Sequence, residues 1–453
     1  GSRAVSSHTG SLAGSEEAYK AAFKQAGVIR AGSMEQVFDY ALGFAYQPFL
    51  NGNRVGIVTN AGGPGILATD AVEHAGLEIP RLSTETVQAL KEYLPGAASA
   101  ANPVDVLGDA LADRYERAMK LVLDDSKVDS LLVIVTPQAM TEIEKTAHAV
   151  GHLSKQADKP ILTCFMGEAR IDAGVRVLRE YGVPNYPYPE RAAATLAAMD
   201  GYRQERDRPI PEPEPCEVCQ PPVRKLFDRV REEGRVSIGD AEAREVLEAY
   251  GFPVPASQLA ESPEEAIDIA EEIGYPVVLK VASPDILHKT DVGGVKLNLN
   301  SANDVRDAFD LIVYRASRYV PDAEVWGCLV QEMVTEGREI LVGMNRDPQF
   351  GPLVAFGLGG IYVEALKDVS FRIAPFSEKE AREMIHEIRS YPLLAGVRGE
   401  PPADHEAMVD ALMRISQLVT DFPEIVELDI NPLTVFEEGK GAVAIDMRLV
   451  LES

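Results

Sequence analysis

The sequence predicts an α/β protein in which a doubly wound parallel sheet is followed, beyond a proline-rich linker, by a second domain of mixed α and β structure. Three observations carry this. Apolar runs at 54–60, 130–136 and 160–165 alternate with amphipathic stretches at 66–74, 141–156, 169–181 and 190–202, the pattern of strands and helices taking turns along a parallel sheet. Residues 207–222, DRPIPEPEPCEVCQPP, have no apolar periodicity and read as an extended linker between domains. Beyond it, 276–299 (PVVLKVASPDILHKTDVGGVKLNL) reads as strand, glycine-bearing loop and second strand, a hairpin able to close over a polyphosphate.

The elements follow in order. Residues 3–14, RAVSSHTGSLAG, are small, polar and glycine-rich, and lead into a helix at 15–25 with Ser15 as its N-cap and acidic residues in the first turn. His8 stands in this loop, outside any apolar pattern. RVGIVTN at 54–60 is a strand, AGGPG at 61–65 a tight glycine turn, and a helix follows. Strand, glycine turn and helix make an anion-binding unit at the carboxyl end of a strand. The spacing is not GxGxxG and no acidic ribose partner follows, which argues against a dinucleotide.

After the linker, 223–233 and 237–250 are expected to be helical, the second with Ser237 as N-cap, and 263–273 is a further helix. Lys280 ends the first strand of the hairpin; Gly293, Gly294 and Val295 open the second. A helix at 302–319, strands at 328–333, 338–345 and 352–358 and an acidic helix from Ser377 come next. The last strands are read at 426–431 (VELDIN) and 441–446 (GAVAID).

The chain of 453 residues has room for two to four domains. Its 44 Lys and Arg against 71 Asp and Glu give a net charge of −27, which excludes nucleic acid and anionic membrane as general partners but leaves local phosphate sites open. No apolar run approaches the roughly 20 residues of a membrane span. The cysteines form no disulfide framework, and the single CxxC of Cys216 and Cys219 lacks a second ligand pair. A cytoplasmic location is expected. The start at Gly1, only seven residues before His8, has the look of a fragment.

The region after the linker carries the ordered parts of an ATP-grasp nucleotide site. Lys280 would meet the α and β phosphates. The segment 331–334, with Glu332 and Val334, would lie beside adenine, and Glu339 would accept ribose hydroxyls. Asn431 and Asp446, on neighbouring strands, are hard oxygen ligands suited to Mg²⁺ between phosphates. A generic site of this kind has no need of His288 in the hairpin loop.

SHTGSLAG, TNAGGPG, HKTDVGGV, REILVGMNRDPQFGP, GLGG and ELDINPL, in that order, resemble the ADP-forming (NDP-forming) acyl-CoA synthetases, of the acetate–CoA ligase type and related to succinyl-CoA synthetase. The resemblance covers essentially the whole chain. It implies residues 1–34 as the end of a first ligase domain bearing the phosphohistidine loop, 35–205 as a flavodoxin-like CoA-ligase domain, 206–222 as linker and 223–453 as an ATP-grasp domain of α+β type. His8 is then the histidine that takes phosphate from an acyl phosphate, and His288 a second histidine that passes it to ADP. Asn60, Gly62, Gly63 and Gly65 become a phosphate site. Asp429 stands where succinyl-CoA synthetases carry a glutamate near the migrating phosphohistidine. Mg²⁺, ATP or ADP, phosphate, CoA and a short carboxylic acid are the implied ligands, CoA being held mainly by an N-terminal domain not in this sequence, and a homo-oligomer is expected. Two rival readings remain at this point: an ATP-grasp carboxylate ligase without phosphohistidine, and a nucleotide- or CoA-sensing module.

Overall fold

The computed structural model describes residues 15–206, 213, 215–283, 285–286, 289, 292–359 and 368–452. His8, His288 and most of the proline-rich linker lie outside the described residues. The chain divides into two compact units, 26–209 and a second made of 210–453 with 1–25. The first described helix, α1 (Ser15–Gln25), belongs to the second of these.

Residues 26–209 carry α2 (Met34–Tyr46), β1 (Val55–Thr59), α3 (Gly62–His74), α4 (Thr84–Tyr93), β2 (Val104–Asp105), α5 (Ala112–Leu123), β3 (Ser130–Val135), α6 (Ile143–Gln156), β4 (Ile161–Phe165), α7 (Asp172–Tyr181) and α8 (Pro189–Arg206). The strands pair in the order β2-β1-β3-β4, all parallel, the flavodoxin-type winding. β1, β3 and β4 are buried throughout because helices cover both faces. Val55 and Ile57 turn toward Ala68 and Val72 of α3 and Leu196 of α8, whereas Val58 joins Tyr115 and Val122 of α5. Strand side chains alternate between faces, so one apolar run feeds two cores.

The glycine turn expected at 61–65 is in fact the first turn of α3, which starts at Gly62. Pro64 fits there because the first N–H groups of a helix have no intrahelical partner. Gly65 is needed for close packing: a Cβ on it would lie 3.0 Å from the Thr59 methyl.

The second unit continues with α9 (Gln220–Glu232), α10 (Asp240–Ala249), β5 (Ser257–Ala260), α11 (Pro263–Ile273), β6 (Val277–Ala282), β7 (Val295–Leu299), α12 (Ala302–Tyr319), β8 (Gly327–Glu332), β9 (Arg338–Asp347), β10 (Gly351–Leu358), β11 (Val369–Ile373), α13 (Glu378–Glu387), α14 (Tyr391–Leu394), α15 (His405–Asp421), β12 (Ile425–Val435), β13 (Ala442–Ala444) and β14 (Met447–Leu451). Two antiparallel sheets result. One runs β5-β8-β6-β7; the other runs β11-β10-β9-β12-β13, with β14 also paired to β12. Each buries one face under helices. In the smaller sheet Val277, Leu279, Val281 and Val330 pack on Ile269 of α11 and Ile312 of α12. In the larger, Ile340, Val342, Phe356, Leu428 and Ile430 pack on Met384 of α13 and Leu412 and Ile415 of α15.

Two expectations are corrected here. Ser237 is not a helix cap. It forms a bridge with Val450 and Ile238 donates to the Leu449 carbonyl, so the chain stays extended and α10 starts after Gly239, closed by Glu242 onto the Gly239 N–H at 2.8 Å. The expected strand at 441–446 stops at Ala444, and a further strand, β14, follows it. Both β13 and β14 pair with β12, and the break between them coincides with a bulge in β12.

Candidate active site

β6 places Val278 and Lys280 on the sheet face opposite the α11–α12 core. Leu329 and Gln331 of β8 share that face, since Lys280 pairs with Leu329 and Val278 with Gln331. A Lys ammonium with only 8% of its side chain exposed needs partners. Lys280 Nζ donates to the Ile445 carbonyl at 3.2 Å and lies 3.7 Å from Asp446 Oδ2; Gln331 Nε2 reaches the same carbonyl at 3.5 Å. Residues 445 and 446 are free to do this because they form the break between β13 and β14.

The same break meets the bulge. Asn431 N donates to the Asp446 carbonyl and Ile445 N to the Pro432 carbonyl, both at 3.1 Å. Bulges re-aim side chains and gather beside sites. Lys280, Gln331, Ile445 and Asp446, with Arg244, Glu248 and Ser257, line a cavity of about 290 Å³. Arg244 is held there by Glu248 at 2.9 Å and by the Pro255 carbonyl at 2.7 Å. Lys280 and Asp446 thus meet, with the backbone of Asn431 bonded beside them. The Ile445 carbonyl and Arg244 were missed, since neither carries a sequence signal.

Other expected residues lie around this centre. Val295 pairs with Lys280 across the hairpin. Gly293 adopts φ +64, and a Cβ there would overlap Arg315, so glycine is required for the turn. Gly294 cannot offer its amide to a phosphate as it stands: the N–H is engaged by the Lys289 carbonyl at 2.7 Å. Asp429 is buried on β12, opposite Gly343 of β9 and Arg448 of β14. Glu339 is exposed on the face of β9 that turns away from Ile340 and Val342, and its carbonyl accepts the Gly359 N–H at 2.7 Å. A Cβ on Gly359 would come within 3.0 Å of the Glu339 backbone, which explains the glycine. Glu332 and Val334 do not line the cavity; Glu332 accepts from Ala256 N at 3.3 Å.

A second candidate region lies in 26–209, at the carboxyl end of β1. α3 has no side-chain cap at Ala61, and Gly62 and Gly63 are exposed. Their N–H groups make no hydrogen bond to another described residue. Such free amides at a helix N-terminus attract an anion, and the β1/β3 crevice is the switch point of the winding. The side chain of Asn60, beside this set, is turned to another task. It is buried, with Nδ2 donating to the Thr136 carbonyl at 2.8 Å and Oδ1 accepting from Thr136 N at 2.9 Å and its hydroxyl at 3.0 Å. It ties the ends of β1 and β3 together, so the Asn60 side-chain amide is engaged away from these free amides. Asp105, whose Oδ2 lies 3.5 Å from where a Gly62 Cβ would stand, went unnoticed in the sequence.

Among the described residues no group of three or more His, Cys, Asp and Glu could hold a metal ion, and no helix is long and apolar enough to cross a membrane. The donor set of Asn431 and Asp446 suits Mg²⁺, which takes few protein oxygens and keeps waters and substrate phosphates as its remaining ligands. Cys164 and Cys328 are buried free thiols, and Cys216 and Cys219 are also free.

Domain comparisons match these two regions. A ligase-CoA domain corresponds to residues 55–208 and an ATP-grasp domain to 229–451, while a succinyl-CoA ligase-like flavodoxin domain matches 1–44. The protein is therefore of the class that joins a flavodoxin-like ligase domain to an ATP-grasp domain. The ADP-forming acetate–CoA ligase I of Archaeoglobus fulgidus is 46% identical over all of this chain, which spans 64% of that protein. The β subunit of ADP-forming acetate–CoA ligase I of Pyrococcus furiosus is 49% identical over 229 residues, 51% of this chain and 97% of that subunit. The chain belongs to the ADP-forming acyl-CoA synthetase family. Among solved structures, an acetyl-coenzyme A synthetase of Ca. Korarchaeum cryptofilum, in complex with coenzyme A and Ca-AMPCP, is 48% identical over 51% of this chain and 99% of its own, with a TM-score of 0.49.

Proposed function

We propose that this chain supplies the nucleotide site and the phosphate-transfer residues of an ADP-forming acyl-CoA synthetase, interconverting acyl-CoA, ADP and phosphate with carboxylic acid, ATP and CoA. The observation that carries the reading is the meeting of Lys280 with Asp446, 3.7 Å apart, beside Asn431 at the bulge of β12. Lys280 would leave Asp446 for the nucleotide phosphates, and Asp446 with Asn431 would hold Mg²⁺. A cation held there would supply positive charge to the nucleotide phosphates. Glu339, Glu332, Val334, Gly293, Gly294 and Val295 are the remaining nucleotide contacts in this reading.

For the chemistry at phosphorus we rely on His8 and His288. Acyl-CoA and phosphate give acyl phosphate and free CoA. A neutral imidazole nitrogen of His8 then forms a bond to phosphorus as the P–O bond to the acyl group breaks, releasing the carboxylate. The amides of Gly62 and Gly63 would receive the phosphoryl dianion. His288 takes the group in turn and delivers it to ADP, with Asp429 orienting the histidine. The acid is short and acetate-like, CoA is bound chiefly by a further N-terminal domain, the assembly is a homo-oligomer and its location cytoplasmic.

Labelling tests this. With γ-labelled ATP, His8→Ala should keep acid-labile label on His288, and His288→Ala should lose most of it. No acid-labile label on either histidine, in protein shown to bind ATP, removes the relay and favours the sensing module. Label that is lost in base or to hydroxylamine, where phosphohistidine survives, favours direct carboxylate activation.

A further inference from the structure

α6 carries two histidines one turn apart. His148 and His152 stand at i and i+4, so their rings emerge on one face of the helix, and both residues are exposed. α7 brings a third polar group to them. It ends at Tyr181, where Gly182 leaves the helix in the left-handed region at φ +71. The Tyr181 ring lies directly against α6 at Gly151, where a Cβ would overlap it. A side chain at 151 would push the ring away, so glycine is what lets it approach. The approach sets Tyr181 Oη between the histidines, 3.3 Å from His148 Nδ1 and 3.2 Å from His152 Nε2. The imidazoles lie within 28° of parallel, and the tyrosine ring stands edge-on to both, at 86° and 70°. Lys155 Nζ sits over the face of that ring, 5.1 Å from its centre.

Hydrogen bonding alone accounts poorly for three such groups meeting at one atom. A hydroxyl has a single proton to give, so one histidine must supply the proton for its own bond. Both separations also lie at or beyond the long end of ordinary hydrogen bonds, about 3.2 Å. They match a different geometry. Two ligand atoms each about 2.0–2.1 Å from a tetrahedral zinc are about 3.3–3.4 Å apart, the separation of each imidazole nitrogen from Tyr181 Oη. Two histidines at i and i+4 on one helix face form a spacing that zinc sites use, and imidazole suits zinc, copper and nickel. Among the described residues no third His, Cys, Asp or Glu joins the pair, so tyrosine is the only further protein ligand this geometry offers.

We propose that His148 Nδ1, His152 Nε2 and Tyr181 Oη form a site for a divalent transition ion that prefers imidazole, zinc or copper(II), with water completing the coordination. Each imidazole keeps its proton on the nitrogen turned away from the ion, and the hydroxyl proton leaves to solvent as the oxygen becomes a ligand. The ion pins the end of α7 to α6. None of these residues belongs to either candidate region above, and neither His8 nor His288 takes part, so this site and the phosphate relay can fail separately.

The test uses the 453-residue chain, prepared without a histidine tag, stripped with a chelator and titrated calorimetrically with Zn²⁺ and with Cu²⁺. One ion should bind per chain, Cu²⁺ more tightly than Zn²⁺, and Zn²⁺ should raise the melting temperature. His148→Ala and His152→Ala should each weaken binding at least about tenfold, since even partners outside the ligand set contribute that much. Tyr181→Phe keeps the ring against Gly151 and removes only the oxygen. It should weaken binding and abolish a visible phenolate-to-copper charge-transfer band that the unaltered chain shows with Cu²⁺. No binding of either ion overturns the proposal. So does binding that none of the three substitutions alters, which would belong to other residues such as Cys216 and Cys219. Binding that needs the histidines but shows no charge-transfer band and ignores Tyr181→Phe overturns the three-ligand site, leaving a plain histidine pair.

Discussion

Lys280 and Asp446 compensate each other in the ligand-free protein. A buried ammonium without a partner costs several kcal/mol, and here the Ile445 carbonyl and the Asp446 carboxylate provide one. If Asp446 also holds Mg²⁺ when nucleotide binds, Asp446→Asn should weaken Mg-ADP binding about tenfold or more, on the order of 1.4 kcal/mol, with little change in fold. Calorimetric titration decides it; equal affinity and stoichiometry remove Asp446 from the site. Asn60 makes the opposite case. Because its amide is tied up between Thr136 N and O, Asn60→Ala should destabilise the protein by about 1–3 kcal/mol through unpaired buried groups. A urea midpoint unchanged by Asn60→Ala, with phosphate binding lost, would return Asn60 to the anion site.

At the scale of elements, the first turn of α3 separates glycines that look alike. Nothing lies within 4 Å of a Cβ on Gly63, whereas one on Gly65 meets Thr59 and Pro103. Gly63→Ala should therefore hold or raise stability, by up to about 1 kcal/mol, and Gly65→Val should cost about 1–3 kcal/mol by overpacking. Equal melting temperatures for the two variants would contradict this placing of the helix. Entry into β1 is secured by Arg54, which grips Asp129 through Nε at 2.7 Å and Nη2 at 2.8 Å. Burial works to raise the Asp129 pKa, but the bonds from the Arg54 side chain and backbone outweigh it and hold the carboxyl below its ordinary range. A depressed carboxylate contributes stability that is complete above the unfolded value, near 3.9, and is lost as pH falls toward the folded one. The stability gap between wild type and Asp129→Asn should thus be steady near pH 6 and shrink below about pH 4. A gap independent of pH would mean that the pair contributes through packing alone.

Across the whole molecule, the chain divides into two compact units at 209/210, and the ATP-grasp match at 229–451 falls wholly within the second. Residues 210–453 expressed alone should fold and bind Mg-ADP as the intact chain does, by circular dichroism and calorimetry. An insoluble or non-binding fragment would show that the nucleotide site depends on the rest.

The sequence by itself determined the parallel class of the first sheet and most of the strands. Burial on two faces forces the continuous apolar runs of β1, β3 and β4, which is a local pattern. It also singled out Lys280, Asn431 and Asp446 as candidates. Only the tertiary structure decided what these residues touch. The break at 445–446 exists because β12 pairs with β13 on one side of its bulge and β14 on the other, which no local pattern encodes. Ser237 has the composition of a cap yet lies extended, because Val236 and Ile238 on either side of it bond to β14. Asn60 stands in a phosphate-like motif, and the strand lying beside it takes its amide. Periodicity records which face of an element is buried; the identity of the neighbour is settled by pairings between residues far apart in the chain.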